Sequence, residues 1–311
     1  MQYRKLGSSG LSVSLVGLGC NNFGERCDLG ETRAVVERAF ELGVNFFDTA
    51  DVYGNRGLSE EYLGKALGAR RGDALVATKF GLPMGEGPLA RGASRRAVFA
   101  AAEASLRRLG SDWIDLYQVH VPDAETPIEE TLEALGDLVR QGKVRYIGCS
   151  NFAGWQLVEA LHTARARSVA GFASAQSQYN LLRRGIEAEL VPACIRYGVG
   201  LLPYFPLANG LLTGKYRRGA QLPPGTRLGE SAWARAMELS EANFDRVEAL
   251  ERFAAERGRS LLELAVGWLA ARPQVASVIA GARRPEQLEQ NCQAADWVLS
   301  EEDLAAVDRL G

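Results

Sequence analysis

Short apolar runs rich in Val, Ile, Phe and Tyr recur along the chain, separated by stretches in which apolar residues fall three and four apart. The runs are LVGLGC, NFFDTA, ALVATKF, WIDLYQVH, VRYIGCS, FASAQSQY, GLLPYFPL and ASVIAGA, eight in all. Their length and composition predict strands. Most are apolar on both faces, which predicts a parallel sheet covered by helices. Among the intervening stretches, ETRAVVERAFELG places Val35, Val36, Ala39 and Phe40 on one face and ends at a glycine suited to a helix C-terminus. PIEETLEALGDLVRQGK opens with Pro127 at a first helical position and sets Glu129 and Glu130 in the first turn, where the helix dipole favours them. SLLELAVGWLAARP begins at a capping Ser260 with Glu263 three residues on. Eight strand–helix units predict an α/β fold of the (β/α)8 or TIM-barrel type. MQYRKLGSSGLSVSLV predicts an N-terminal β-hairpin, and SEEDLAAVDRLG an additional C-terminal helix. The longest irregular stretch runs from about Thr213 to Leu239, a length usual for a functional or mobile loop.

Composition narrows this picture. A chain of 311 residues, 47% hydrophobic, can bury a sizeable core, and α/β barrels often reach this length as one domain, here 1–311. The 36 basic and 38 acidic residues give a net charge of −2 with no dense basic stripe, so no nucleic-acid partner is expected. The N-terminus lacks a secretory apolar region and no run is long enough to span a bilayer, so the expectation is a cytoplasmic protein without a membrane partner. Cys20, Cys27, Cys149, Cys194 and Cys292 are scattered and odd in number, which reads as free thiols. With only His120 and His162, and no carboxylate or thiolate cluster, no metal site is expected. A doubly wound dinucleotide fold is disfavoured: GLGCNN lacks the third glycine of its fingerprint. GLLTGK imitates the end of a phosphate loop, but its spacing fails and Tyr216 stands where Ser or Thr is required.

The candidate chemistry lies at strand ends. In a barrel the C-terminal ends of the strands carry the active site. Asp48 ends NFFD, Lys79 lies near the end of VATKF, and His120 closes LYQVH. Ser150, Asn151, Gln176 and Tyr204 occupy similar places on the next strands, and Tyr53 follows Asp48 in the loop. An Asp–Lys pair can be purely structural, and a lone histidine can be packing. Four such residues on neighbouring strands instead suggest a tuned proton donor. A free phenol has a pKa of about 10. The Lys79 ammonium is expected to lower that of Tyr53, Asp48 to hold Lys79 charged, and His120 to orient a substrate oxygen. The set suits protonation of a carbonyl oxygen but holds no hydride source, so a cofactor is needed.

The motifs FDTADVYG, ATKFG, DLYQVH, IGCSNF, SQYNLL, PLANGLLTGKY and GARRPEQLEQN make the chain resemble the aldo-keto reductase superfamily over nearly its whole length, and in particular its bacterial, metal-independent members. The resemblance implies reduction of an aldehyde or ketone by NADP(H) on a (β/α)8 barrel. Asp48, Tyr53, Lys79 and His120 match the catalytic tetrad, with Tyr53 as proton donor. Ser150, Asn151 and Gln176 match the residues that hold the nicotinamide carboxamide, and Tyr204 the aromatic stacked on its ring. Phe205, Pro206, Leu207, Gly210 and Leu212 match the pyrophosphate loop; Gly281, Arg283, Gln287 and Asn291 match the adenosine segment. The helix opened by RRPEQ suits a phosphate at its N-terminus, and Arg283 with Arg284 suits a 2′-phosphate. Many members carry a Lys-Ser pair and a later Arg where this chain has Gly281, Ala282 and Gln287; many bacterial members share that departure and remain NADP(H)-selective, so the resemblance favours NADP(H), while the departure leaves use of NAD(H) open. Phe23, Trp155 and Trp233 are expected to line the substrate pocket. A regulatory subunit resembling the potassium-channel β subunits is the alternative function. A Schiff-base aldolase using Lys79 is disfavoured, because that chemistry prefers a desolvated, unpaired lysine. Physiological substrate, preferred direction and oligomeric state are not legible in the sequence.

Overall fold

The protein is described from a computed structural model, which covers residues 1–310. An antiparallel hairpin, β1 (Tyr3–Lys5) and β2 (Ser12–Ser14), precedes the barrel and pairs Arg4 with Val13. The barrel strands are β3 (Val16–Gly19), β4 (Phe46–Asp48), β5 (Leu75–Phe80), β6 (Ile114–Val119), β7 (Val144–Ser150), β8 (Ser174–Gln178), β9 (Gly200–Tyr204) and β10 (Val278–Gly281). All eight are parallel, each beside its sequence neighbour, with β10 returning to β3. Between β9 and β10 the cylinder is joined by a parallel bridge from Leu201 to Val275. These strands are the eight apolar runs, and their near-continuous burial reflects a sheet covered on both faces.

The helices that follow β3 to β8 in turn are α1 (Leu29–Glu41), α2 (Tyr53–Leu67), α3 (Arg95–Leu109), α4 (Ile128–Arg140), α5 (Gly154–Arg167) and α6 (Leu190–Tyr197). After β9 come α7 (Arg227–Glu230), α8 (Ala232–Glu238), α9 (Glu241–Ala255) and α10 (Leu261–Ala270); α11 (Pro285–Ala294) and α12 (Glu301–Leu310) follow β10. The caps are where the sequence puts them. Ser260 and Glu263 form a reciprocal capping box at the start of α10, and Gly43, with φ 77°, ends α1. Pro127 is the residue before α4 rather than its first residue. The stretch from Thr213 to Leu239 is less irregular than its sequence suggests. It contains α7 and α8, capped by the hydroxyls of Thr226 and Ser231. Helices of four and seven residues are too short to show an apolar period.

The core has two layers. Leu6, Val13, Phe46, Ala77, Leu116, Leu202 and Ile279 fill the barrel toward the hairpin, while the larger cluster lies between the sheet and its helices. With the hairpin and this packing at one end, the opposite, C-terminal end of the strands is left to the polar residues.

Candidate active site

Asp48 ends β4, and register pairs it with Gly19 on β3 and Ala77 on β5. Lys79, two residues on from Ala77, is fully buried and donates from Nζ to Asp48 Oδ2 at 2.6 Å and to the Thr49 carbonyl at 2.8 Å. The other Asp48 oxygen, Oδ1, accepts from Gln176 Nε2 at 2.8 Å and Gln118 Nε2 at 3.3 Å. A buried carboxylate thus has a donor on each oxygen, as a buried charge requires. Burial works to deprotonate Lys79, but Asp48 and Tyr53 outweigh it and hold its pKa above the ordinary lysine value. That environment removes the basis for a Schiff-base lysine.

Lys79 Nζ lies 5.0 Å from the centre of the Tyr53 ring, and the His120 ring stands edge-on to the same phenol with centroids 5.7 Å apart. The direction of the Tyr53 pKa differs from the sequence expectation. Burial raises it, and the opposing Lys79 charge offsets only part of that rise. The phenol is therefore protonated at neutral pH, the state a proton donor needs. Burial and the Lys79 charge push His120 down to about 3, so its imidazole is neutral and offers one N–H.

These residues open on a cavity of about 1470 Å³, larger than the ~300–1,000 Å³ of most small-ligand sites. Of the expected residues, Asp48, Tyr53, His120, Ser150, Asn151, Gln176, Tyr204, Phe205, Pro206, Leu207, Gly210, Gly281, Arg283, Gln287, Asn291 and Trp233 line it. Several already have partners. Tyr204 donates its hydroxyl to Asn151 Oδ1 at 2.8 Å, and Asn151 Nδ2 donates to the His120 carbonyl at 2.9 Å. Gln287 Oε1 accepts from the Arg283 backbone N–H at 2.8 Å, closing the start of α11. Arg283 Nη1 reaches the Gly225 carbonyl at 3.0 Å, and Arg26 pairs with Glu230, so the segment around α7 is strapped to the rest of the cleft wall.

Besides Lys79, fully buried behind the wall, three expected residues do not line the cavity. Phe23 is fully buried in the apolar core, because its loop folds back through a bridge to Cys27 and turns the ring inward. Leu212 is likewise buried in the core rather than on the cleft wall. Trp155, at the start of α5, is 59% exposed and borders a separate, smaller hollow of about 310 Å³ with Pro122, Ile128 and Phe152.

Two further residues belong to the site, Gln118 behind Asp48 and Lys215 on the cavity wall. Gln118, the third residue on Asp48, lies two positions before His120, so period-two alternation could have marked it. Lys215 comes from GLLTGK, whose spacing does not make a phosphate loop; it lines the cavity with Arg26, Arg227, Arg283 and Arg284. Gly210, with φ 97°, gives it room: a β-carbon there would lie 3.2 Å from Lys215 Nζ. Burial first, then Arg26 and Arg284, lower the Lys215 pKa. Among the described residues, Lys215, Arg227 and Arg284 form no ion pair with a carboxylate. Cations on a cleft wall without carboxylate partners fit a polyanionic ligand such as the phosphates of a dinucleotide.

The described residues contain no group of three metal-ligating side chains. No helix of the described residues is long and apolar enough to cross a membrane. A family model described as the Aldo/keto reductase family matches residues 15–311. Among similar proteins, a probable voltage-gated potassium channel subunit beta from Arabidopsis thaliana is 38% identical, covering 96% of this chain and 92% of its own length. The L-glyceraldehyde 3-phosphate reductase of Escherichia coli O157:H7 is 37% identical over 99% and 92% of the two chains. The versiconal hemiacetal acetate reductase of Aspergillus parasiticus is 33% identical over 98% and 95%. With this barrel, and a family match that runs from its first strand to its last helix, the chain belongs to the aldo/keto reductase family and is an oxidoreductase acting on carbonyl and alcohol groups.

Proposed function

We propose that the protein reduces a small aldehyde or ketone to the alcohol with NADP(H), using Tyr53 as the proton donor. The observation that carries this reading is the Asp48–Lys79 pair, 2.6 Å apart and buried beside the Tyr53 phenol, on a cavity whose wall also carries unpaired cations. When bound, the nicotinamide supplies a hydride to the carbonyl carbon.

The remaining chemistry belongs to this chain. Tyr53 transfers its hydroxyl proton to the carbonyl oxygen. Lys79, kept charged by Asp48, stabilises the phenolate that this leaves. His120 stays neutral and donates an N–H to the same oxygen, fixing its direction. Gln176 gives one amide N–H to Asp48, and its carbonyl oxygen is free to accept from the N–H of a carboxamide. Ser150, and Asn151 after rearrangement of its Tyr204 bond, complete that contact, while Tyr204 offers its ring. Lys215, Arg227, Arg283 and Arg284 hold the phosphates, with Gly281 and Asn291 around the adenosine. The unpaired cations support NADP(H) over NAD(H).

The test measures NADPH and NADH consumption by absorbance across a panel of aldehydes, ketones and sugars, with Tyr53→Phe in parallel. The variant should bind NADPH as the parent does and lose ~10²-fold or more in turnover. Near-parental turnover would remove Tyr53 from its role. The similarity to proteins named as potassium channel subunits gives a second reading, a regulatory subunit with weak redox activity. A single turnover per chain, with no carbonyl sustaining repeated cycles, would favour it.

A further inference from the structure

The backbone directly after Tyr53 is unusual. Gly54, Asn55 and Arg56 all have left-handed helical torsions (φ 62°, 55° and 67°; ψ 53°, 50° and 55°), and Gly57 follows at φ 128°. L-residues resist this conformation and normally adopt it singly, not as a turn. Such backbone persists only where its surroundings impose it. At Gly54 the surroundings are backbone: a β-carbon would come within 2.5 Å of the Phe23 carbonyl oxygen and 2.6 Å of Ser59 N. At Gly57 they are a side chain, because a β-carbon would lie 2.6 Å from Arg108 Cδ and 3.1 Å from its Nε.

Arg108 comes from α3 and is itself held. Its Nε donates to Glu60 Oε2 at 2.6 Å, and its Nη2 to Ser105 Oγ at 3.3 Å. Glu60, on α2, is fully buried, and its other oxygen accepts from Thr78 Oγ1 at 2.5 Å. Thr78 is the residue before Lys79. A continuous chain of contacts therefore runs from the strand that carries the lysine, through Glu60 and Arg108, to the turn that carries the tyrosine. A second tie supports the segment from its start, where the Asp51 N–H donates to the Lys79 carbonyl at 3.1 Å. None of Thr78, Glu60 or Arg108 lines the cavity, so a direct contact with substrate or cofactor is not their part.

We propose that Glu60 and Arg108 are positioning residues for Tyr53: the Thr78–Glu60–Arg108 chain fixes the left-handed turn Gly54–Gly57 against β5 and so sets the distance between the phenol and the Lys79 ammonium. The inference rests on the reading of Tyr53 as the proton donor. It has a direct consequence for pH dependence. The donor must be protonated, so reduction fails on the alkaline side as Tyr53 ionises. The Lys79 charge is the largest influence opposing the burial that raises the phenol's pKa. Loosening the turn takes the phenol away from that charge, so the alkaline limb moves to higher pH.

Glu60→Gln/Arg108→Met tests this with both charges removed together, so that no buried charge is left alone. Arg108→Lys is the second variant, keeping a charge for Glu60 but losing the flat guanidinium beside Gly57. Each is compared with the parent and with Tyr53→Phe for kcat, KM, the pH profile of kcat/KM, and NADPH affinity from fluorescence quenching. The expected result is a kcat lower by about 10–100-fold, an alkaline limb displaced upward, and NADPH affinity within about twofold of the parent, as for misplacement without lost binding. A folded variant with parental kcat and an unmoved limb overturns the inference, and a loss confined to NADPH affinity does the same by placing the chain's effect on the cofactor. If the double variant does not fold, Arg108→Lys decides on the same readings. Parental turnover in Tyr53→Phe would instead overturn the proton-donor reading itself, independently of either Arg108 variant.

Discussion

Asp48 and Asp51 leave the same segment three residues apart, both are nearly fully buried, and they sit in opposite electrostatic surroundings. Asp48 has the Lys79 ammonium on one oxygen and the amides of Gln176 and Gln118 on the other. Asp51 faces the fully buried carboxylate of Glu60, with Arg108, Lys79 and the Tyr117 hydroxyl as its other charged or titratable neighbours. Its Oδ1 has no hydrogen-bond partner, nor has the Tyr117 hydroxyl. Burial and Glu60 together raise the Asp51 pKa to about 7, against the weaker pull of Arg108. Being buried does not decide what a carboxylate does. The number of donors aimed at it and the sign of the nearest charge do. The first site maintains a fixed ion pair where a reacting group needs a constant field, and the second maintains a carboxylate that changes charge near neutral pH.

The largest effect should come from breaking the fixed pair. Lys79→Met keeps the side-chain bulk and deletes the charge, leaving Asp48 buried without its cation. We expect a stability loss of ~3–5 kcal/mol by chemical denaturation and a collapse of turnover in folded protein. NADPH affinity, measured by fluorescence, should change little. Adding Asp48→Asn to Lys79→Met should lower turnover scarcely further, because residues acting as one unit are not additive. Fully additive losses would give Asp48 a catalytic part separate from the lysine.

A second experiment sharpens the contrast through pH. Asp51 is raised from its ordinary 3.8 to about 7, so between those values the folded chain keeps a proton that the unfolded chain has released. Stability contributed by this group is therefore greatest below about pH 4 and is lost as pH rises to about 7, by at most about 4 kcal/mol. His120 has the reverse sign. Its folded value of about 3 lies below its ordinary 6.5, so the unfolded chain binds the extra proton and stability rises with pH across that window. The two contributions oppose each other in the overlap. Asp51→Asn keeps the shape and removes the falling arm, so its stability relative to the parent should climb steadily from pH 4 to 7. An unchanging difference across that range would mean that Asp51 is ionised throughout and that the contrast with Asp48 is wrong.

The smallest expected effect lies outside both carboxylates, at the cations of the cleft wall. Arg283→Ala should weaken NADPH more than NADH by roughly 1.5–3 kcal/mol, the worth of a charge-assisted hydrogen bond. Isothermal titration with both cofactors reads this directly. Equal losses would indicate that Arg283 acts through its bond to the Gly225 carbonyl, holding the strap over the cleft rather than a 2′-phosphate.

Much of this was legible beforehand, and for reasons that differ by element. Ser260 and Glu263 cap α10 as their spacing requires, because a cap is satisfied within four residues and needs nothing distant. The helices α7 and α8 were not seen, since four and seven residues cannot display a helical period. Asp48, Tyr53, Lys79 and His120 were found together because a barrel delivers every strand end to one face. Gln118 and Lys215 stand out less in the sequence, although the first lies two residues from His120 and the second within GLLTGK. Phe23 and Trp155 could not be placed from sequence, because an aromatic ring on a loop can turn inward or outward without changing any local pattern.

By itself, the sequence determined the eight strands, their order, the hairpin and the residues at the strand ends, since alternation, caps and turn residues act over a few positions and a parallel barrel leaves few ways to connect them. The tertiary structure alone decided the sign of the Tyr53 shift, because burial and the Lys79 charge push in opposite directions and only their geometry says which is larger. It also decided that Asp48 would find a lysine and two amides while Asp51 found another carboxylate. Both are aspartates in one short motif, with nothing local to tell them apart. Their fates depend on which side chains β5, β6, β8 and the helices α2 and α3 bring within a few ångströms, and that is a property of the closed barrel rather than of the segment.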